Sequence, residues 1–180
     1  SAVAGFPNLR TLSIERNGIT DIGPLSGASA LRFLFADGNQ ITDLSPLSGL
    51  PLLESVRLEG SPVGALAPLA SLPSLNFLDI SHASLTDLSG LAGAASTLQF
   101  LDLGENALTS LAPLAGLTGL ETLIASLNAL SSTDGLAALP NLQTLNLIGN
   151  LITDISALVA NADIAAGDSV ASRGVEALDR

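Results

Sequence analysis

Cysteine, methionine, tryptophan and tyrosine are absent from this chain of 180 residues, and phenylalanine occurs only five times. Without cysteine, disulfides and thiolate metal sites are excluded, and the redox compartment stays undetermined. No run of about 18 apolar residues occurs, so the sequence predicts no membrane-spanning helix. Because 47% of the residues are nonetheless hydrophobic, the core has to be built from aliphatic side chains.

Positive charge is scarce and unevenly placed. The six basic residues are all arginines, and none lies between Arg57 and Arg173, an interval with ten carboxylates. With a formal net charge of −11, the surface should repel phosphate backbones and anionic lipids, which argues against nucleic acid and membrane surfaces as partners. A partner protein with a basic or neutral contact surface is favoured. The alternative is that most of these acids only keep an elongated protein soluble.

The sequence repeats itself every 22 residues, with one step of 23. Each unit opens with LxxLxL or a close relative, in which apolar and polar residues alternate over the middle. This alternation is typical of a short β-strand, not of a helix. One strand per unit predicts a stacked parallel sheet in a leucine-rich repeat solenoid. The units start at Leu9, Leu31, Leu53, Leu75, Leu98, Leu120 and Leu142.

An asparagine follows the strand in most units. Its side-chain amide, turned inward, can satisfy the loop N–H and C=O groups that leave the sheet. Ser61 and Ala83 stand in this column in two adjacent units, and we expect that place to be the least rigid part of the stack. The asparagines are Asn17, Asn39, Asn106, Asn128 and Asn150.

Aspartate before a short apolar stretch, with a proline nearby, predicts the start of a helical or 3₁₀ turn on the convex side. We therefore interpret these aspartates as caps and not as ligands. The extra residue of the longer unit is expected to form a convex-side bulge near Ala94, Ala95 and Ser96. The aspartates are Asp21, Asp43, Asp87 and Asp154, and the prolines are Pro24, Pro46 and Pro113.

The spacing LxxLxLxxNxIxDLxPL, present at 9–25 and again at 31–47, resembles the 22-residue repeats of bacterial internalin-type leucine-rich repeat proteins. The resemblance covers 9 to about 163. It implies an α/β fold: a right-handed solenoid with a parallel β-sheet on its concave face and short 3₁₀ or α turns on its convex face. It also implies a bacterial protein, secreted or at the cell surface, whose concave sheet binds another protein. The helical N-terminal cap and the immunoglobulin-like C-terminal module of internalins are missing from this sequence.

We expect a single solenoid over 1–180. Residues 1–8 resemble the tail of a preceding repeat, 9–163 hold the seven repeats, and 164–180 form a degenerate terminal repeat or cap. Phe6 falls at a core position and is not counted as a binding residue. The chain opens at Ser1 and not at methionine, so we expect a mature or excised piece. A removed cap and a neighbouring domain are both possible covers for the solenoid end.

The outward positions of each strand are the third, fifth and seventh of its unit. Four of the five phenylalanines occupy such positions, although nothing in folding requires them there. Covering exposed rings stabilises a complex, and an apolar centre with a charged surround is typical of a protein interface. The alternative is that the rings only shield the sheet. The predicted binding residues are Phe33, Phe35, Phe77, Phe100, Arg57, Asp79, Asp102, Glu15, Asp37 and Glu59.

Asp79 and Asp102 share one column and should lie about one strand spacing apart, where like charges repel. A cation would relieve this repulsion, and Arg57, next in the same column, is expected to provide part of that relief. The candidates are a lysine or arginine of a partner and Ca²⁺. Calcium takes six to eight oxygen ligands, and Ser81 and Gly104 offer few, so no metal site is predicted.

Catalysis has little support. The only histidine, His82, is expected to form a rim ion pair with Glu105, and there is no phosphate-binding loop and no HExxH. We predict a non-enzymatic protein without cofactors. The main alternative is a structural spacer or assembly segment of a larger surface protein. A threonine column beginning at Thr20 and Thr42 raises ice binding as a further alternative, but the column is interrupted and lies beside charged aspartates.

Overall fold

The computed structural model describes residues 7–93, 97–160 and 169–171. Its eight strands form one sheet in which every strand pairs in parallel with the next strand of the chain. Each strand has three residues, the short alternating segment that the sequence predicts. The strands are Thr11–Ser13 (β1), Phe33–Phe35 (β2), Ser55–Arg57 (β3), Phe77–Asp79 (β4), Phe100–Asp102 (β5), Thr122–Ile124 (β6), Thr144–Asn146 (β7) and Ser169–Ala171 (β8).

Short helical turns connect the strands along the other side of the stack. Successive turns pack against one another, so strands and turns form two sides of one solenoid, as predicted. The 3₁₀ turns are Gly23–Gly27, Ser45–Leu47, Ser89–Leu91, Ala112–Gly116 and Leu136–Ala138, and the α-helices are Ala67–Ala70 (α1) and Ser156–Ala160 (α2). No helix among the described residues has the length and apolar character needed to cross a bilayer.

Equivalent positions face each other across every strand pair. Leu34 pairs with Val56, Val56 with Leu78, and Leu78 with Leu101. The pairing of Leu78 with Leu101 shows that the longer unit leaves the register unchanged, as predicted. The proposed bulge at 94–96 lies outside the described residues. β8 falls within the predicted terminal repeat, most of which lies outside them too.

The core is aliphatic, as the composition requires. The central strand residues Leu34, Leu78 and Leu101 have no exposed surface. In the first unit, Leu9 and Leu12 are only partly buried, because β1 is an edge strand of the sheet. Phe6, the predicted core residue of the preceding unit, lies outside the described part of the chain.

The aspartates before the turns bond to the first amides of those turns. Oδ1 of Asp43 accepts from the N–H of Ser45 at 2.8 Å, and Asp21, Asp87 and Asp154 make the equivalent bond. The capping prediction is confirmed with an offset of one residue, since the formal N-cap is the apolar residue after the aspartate. The N–H and hydroxyl of Ser45 lower the pKa of Asp43. The prolines lie at the start of the turns, as predicted.

The asparagine column joins neighbouring units. Nδ2 of Asn106 donates to the carbonyls of Ile80 at 3.0 Å and Leu103 at 2.9 Å. Its Oδ1 accepts from the N–H groups of Ala83 at 3.0 Å and Leu85 at 2.9 Å. One side chain thus satisfies backbone groups of its own unit and of the unit before. Asn39 bonds in the same way, and Asn128 and Asn150 make most of these bonds.

Two neighbouring units interrupt this arrangement. Ser61 is fully buried, and its Oγ has no hydrogen-bond partner among the described residues. The N–H of Ser61 bonds instead to the carbonyl of Leu58 at 3.0 Å, within its own unit. Ala83 has no polar side-chain atom. The side chains of Ser61 and Ala83 therefore make no link to the preceding unit, although the N–H groups of Ala83 and Leu85 still bond to Asn106 of the next unit.

The residue before the asparagine column is left-handed in all seven units. A left-handed backbone favours glycine, and a side chain there costs about 1–2 kcal/mol. Three units have glycine at this position, whereas four carry a side chain. The residues and their φ angles are Arg16 (57°), Gly38 (67°), Gly60 (74°), His82 (52°), Glu105 (56°), Leu127 (55°) and Gly149 (75°).

We predict that Asn106→Ala lowers the free energy of unfolding by about 2–3 kcal/mol, because it leaves several backbone groups without a partner. Asn141→Ala is the control, since exposed Asn141 makes one side-chain bond, to Thr118, and should cost less than about 0.5 kcal/mol. Denaturant unfolding measures both. Equal losses in the two variants would mean that Asn106 does not join the units.

We predict that Leu127→Gly raises the free energy of unfolding by about 0.5 kcal/mol, because the relief of left-handed strain exceeds the entropy cost of glycine. Leu52→Gly is the matched control. Leu52 is 48% exposed and Leu127 is 52% exposed, but the backbone of Leu52 is not left-handed. That control should lose about 1 kcal/mol. Thermal and denaturant unfolding would refute the prediction if both variants lost stability equally.

Hydrogen exchange should find the loop at Ser61 less protected than those at Asn17 and Ala83. The reason is that asparagine side chains bond to the N–H groups of the latter two loops, whereas the Ser61 loop lacks this link to the next unit and can open at a lower free energy. Equal protection of all these loops in a native-state exchange experiment would refute this.

Candidate functional site

Four phenylalanines form what we call the phenylalanine patch: Phe33, Phe35, Phe77 and Phe100. Each lies on the side of the sheet away from the leucine core and is partly exposed, next to a buried leucine on the same strand. The alternation within each strand explains this placement. The rings are therefore accessible to a partner, but neighbouring side chains cover part of each.

Two rings of the patch stack on each other. The ring centroids of Phe77 and Phe100 lie 4.3 Å apart, with planes inclined by 2°. The strand register causes this, because the two residues are direct partners on β4 and β5. Ser55 separates Phe77 from Phe33 in the same column. The stack agrees with the alternative that the rings shield the sheet, yet both rings keep exposed surface.

Arg57 lies between two acids of the face. Its Nη2 is 3.0 Å from Oδ2 of Asp37, and its Nε is 3.8 Å from Oδ2 of Asp79. The Nε itself has no hydrogen-bond partner among the described residues. The sequence placed Arg57 beside Asp79 in one column. It gave no sign of the shorter contact with Asp37, which is at a different position of the preceding unit.

Asp79 and Asp102 are direct partners in the sheet, as the column predicts. Oδ1 of Asp79 accepts from the hydroxyl of Ser81 at 2.7 Å and from its N–H at 3.1 Å. Oδ1 of Asp102 accepts from the N–H of Gly104 at 2.8 Å. Burial raises the pKa of Asp102, the negative charge of Asp79 acts in the same direction, and the Gly104 N–H opposes both.

Asp37, Glu59 and Asp79 each place a carboxylate oxygen within 4.8 Å of the others. Burial raises the pKa of Asp37, while Arg57 and the N–H of Glu59 lower it. Three acids at this distance could hold a cation, but the guanidinium of Arg57 already lies beside Asp37 and Asp79. The group is therefore an acidic surface whose negative charge Arg57 partly neutralises.

The predicted residues fall into two adjoining groups. Glu15 joins Asp37, Arg57 and Glu59 around one shallow depression, next to the Phe33–Phe35 strand. Asp79 connects this depression with β5, which carries Phe100 and Asp102. The structure therefore brings the ten residues onto one face, but not into one pocket.

Sequence reasoning missed a contact among Arg32, Glu54 and the Phe33 ring. Arg32 Nη2 and Nε donate to Oε1 of Glu54 at 2.6 and 2.8 Å, and the Cζ of Arg32 is 5.6 Å from the centre of the Phe33 ring. The sequence carried a signal for the ion pair, because Arg32 and Glu54 occupy equivalent positions in consecutive units.

The predicted rim ion pair is confirmed, with His82 Nε2 lying 2.9 Å from Oε1 of Glu105.

Comparisons with known proteins agree with this architecture. The family model for leucine-rich repeats (2 copies) matches residues 7–49 and 118–160. An internalin of Listeria monocytogenes, inlF, is 31% identical with a TM-score of 0.81, over 91% of this chain and 48% of the internalin. A leucine-rich repeat protein of Leptospira interrogans shares the fold. It is 22% identical, with a TM-score of 0.78, over 94% of this chain and 44% of the Leptospira protein. No curated protein sequence was found to match.

The chain thus spans about half the length of inlF. Internalin C2 of the same Listeria species is covered more fully: it is 32% identical, with a TM-score of 0.65, over 90% of this chain and 80% of the internalin. The repeat spacing, the strand register and this relative lead to one conclusion. The chain belongs to the internalin-type family of leucine-rich repeat proteins.

Proposed function

We propose that this chain is a non-catalytic recognition module that binds a partner protein through the concave sheet face, with the phenylalanine patch at the centre of the contact. The observation that carries this proposal is the partial exposure of four rings beside a core that leucines already fill. Rings in that position add little to the core, and their remaining exposed surface is available to a partner.

The charged surround supports the same proposal. Glu15, Asp37, Glu59, Asp79 and Asp102 border the patch, with Arg57 as the cation among them. An apolar centre with charged residues around it has the composition of a protein interface. The excess of carboxylates favours a partner surface that is basic or neutral and disfavours nucleic acid.

Membership of the internalin-type family supports a bacterial protein that acts at the cell surface or after secretion. The chain spans about half of inlF, so partners of whole internalins are not transferred to it. We propose a protein partner and no enzymatic activity. No cofactor is required for recognition of this kind.

An alternative is a spacer or assembly segment of a larger surface protein. The stack of Phe77 on Phe100 favours it, because each ring covers part of the other. In that case the phenylalanine patch would only shield the sheet.

We predict that Phe35→Ala or Phe77→Ala weakens partner binding by at least about 1 kcal/mol without loss of the fold, because each change removes apolar contact area. Affinity capture from the native source identifies the partner, and calorimetry then measures its affinity for each variant. Leu151→Ala is the control, since Leu151 is 66% exposed but lies outside the sheet face.

The triple variant Phe33→Ala, Phe35→Ala, Phe77→Ala distinguishes the two functions. Recognition through the phenylalanine patch requires that this variant lose the captured partner. A spacer would capture the same proteins with and without the three rings, provided circular dichroism shows that the variant is folded.

A further inference from the structure

Asp102 differs from Asp37, Asp79 and Glu54, which arginines reach. Arg57 lies 3.0 Å from Asp37 and 3.8 Å from Asp79, and Arg32 is bonded to Glu54. No salt bridge reaches Asp102 within the described ranges, although its carboxylate is partly buried. A carboxylate removed from water and left without a cation is unfavourable, and a partner that brings a cation would remove that penalty.

The surroundings of Asp102 are suited to a flat cation with an apolar stem. Phe100 lies two residues earlier on the same strand, and Ile124 is the direct partner of Asp102 on β6. The column neighbour of Phe100 on that side is Thr122, which is small, whereas Phe77 covers the other face of the ring. An arginine stem could therefore pack against Ile124 with its guanidinium over Phe100.

The strand end beside Asp102 carries little bulk. Gly104 has no side chain, and a Cβ built on it would lie 3.1 Å from Oδ1 of Asp102 and 3.4 Å from Oγ of Ser126. Gly104 is the next residue after Asp102 on this face, so no side chain occupies that position. Glu59 holds the equivalent position after β3, whereas Gly104 places no side chain there.

A complete contact of the kind proposed for Asp102 occurs elsewhere in the chain. Arg32 donates to Glu54 and lies 5.6 Å from the centre of the Phe33 ring. That contact combines an aromatic face, a carboxylate and a guanidinium. At β5 the aromatic face of Phe100 and the carboxylate of Asp102 are present. His82 acts on this carboxylate and lowers its pKa, but no guanidinium of the described residues bonds to it.

Resting on the proposed function, we propose that the partner inserts one arginine side chain between Phe100 and Asp102. Its guanidinium pairs with the Asp102 carboxylate and lies on the Phe100 face that Phe77 leaves uncovered. Arginine fits better than lysine, because a planar guanidinium can stack on a ring while it bonds to a carboxylate. The nearby negative charges of Asp79 and Glu59 strengthen the attraction for any such cation.

The test uses random peptides displayed on phage and selected on the full chain. Peptides that bind the chain but not the triple variant Phe33→Ala, Phe35→Ala, Phe77→Ala are synthesised. Calorimetry then measures their dissociation constants with the wild type, Asp102→Asn, Phe100→Ala and Asp134→Asn. The amide oxygen that Asp102→Asn introduces can still accept the Gly104 N–H, while Asp134 is an exposed acid of a connecting turn and serves as the matched control.

The expected result is that selected peptides carry an essential arginine. Asp102→Asn should weaken their binding at least about tenfold, as the loss of a charge-assisted hydrogen bond requires. Replacing the arginine by citrulline should weaken wild-type binding by a similar factor but have little further effect on Asp102→Asn. Phe100→Ala should also weaken binding, and Asp134→Asn should leave it unchanged.

The opposite results separate the inference from the proposed function. Peptides that need the phenylalanine patch but bind Asp102→Asn as tightly as wild type would overturn the arginine site and leave the proposed function standing. Peptides that bind equally well with lysine in place of arginine would overturn the choice of a guanidinium. If no selected peptide distinguishes the wild type from the triple variant, both proposals are wrong.

Discussion

The structure depends on the in-register parallel pairing of identical strand positions. Each central leucine packs on its equivalents one strand spacing away, about 4.8 Å along the stack. Three-residue strands supply few hydrogen bonds of their own, so the polar groups that leave the sheet need partners in the next unit. Asn39 and Asn106 show how this is met, because each amide bonds to its own unit and to the preceding one. Stability is therefore a property of adjacent units and not of single ones.

The same register determines what the sheet face can present. Equal positions come close, so two phenylalanines stack and two aspartates repel. Two carboxylates about 5 Å apart repel by about 1 kcal/mol in water and about 3 kcal/mol at an effective dielectric constant near 20. Arg57 lies close to both Asp79 and Asp37, whereas no salt bridge reaches Asp102 among the described residues. The face therefore combines ring surface with uncompensated negative charge.

Much of the fold could be predicted, because the repeat period specifies the register and the alternation specifies which side of each strand is buried. The placement of Phe33 and Phe77 on the open side follows from these two rules. The column also predicted that Asp79 and Asp102 are neighbours. The pairing of His82 with Glu105 followed from residues at the same position of consecutive units.

Other contacts could not be predicted, because they do not follow columns or because they depend on local backbone conformation. Arg57 holds the fifth position of its unit and contacts Asp37 at the seventh position of the unit before. The repeat period predicts only which residues at equal positions are neighbours. The left-handed conformation before the asparagine column is hidden wherever its residue is not glycine, as at Glu105 and Leu127. Stacking at 4.3 Å depends on ring rotamers, which the strand pattern leaves open.

Folding and the proposed recognition depend on opposite sides of the same strands. Leucines on the inner side carry the stack, so the outer positions of β2 to β5 can differ from unit to unit without loss of register. Four of the five phenylalanines and several acids occupy these free positions. Ring surface gives affinity, and unpaired carboxylates reject partners that lack positive charge. Under the proposed function, attraction to the carboxylates acts first and at longer range, and contact with the rings follows.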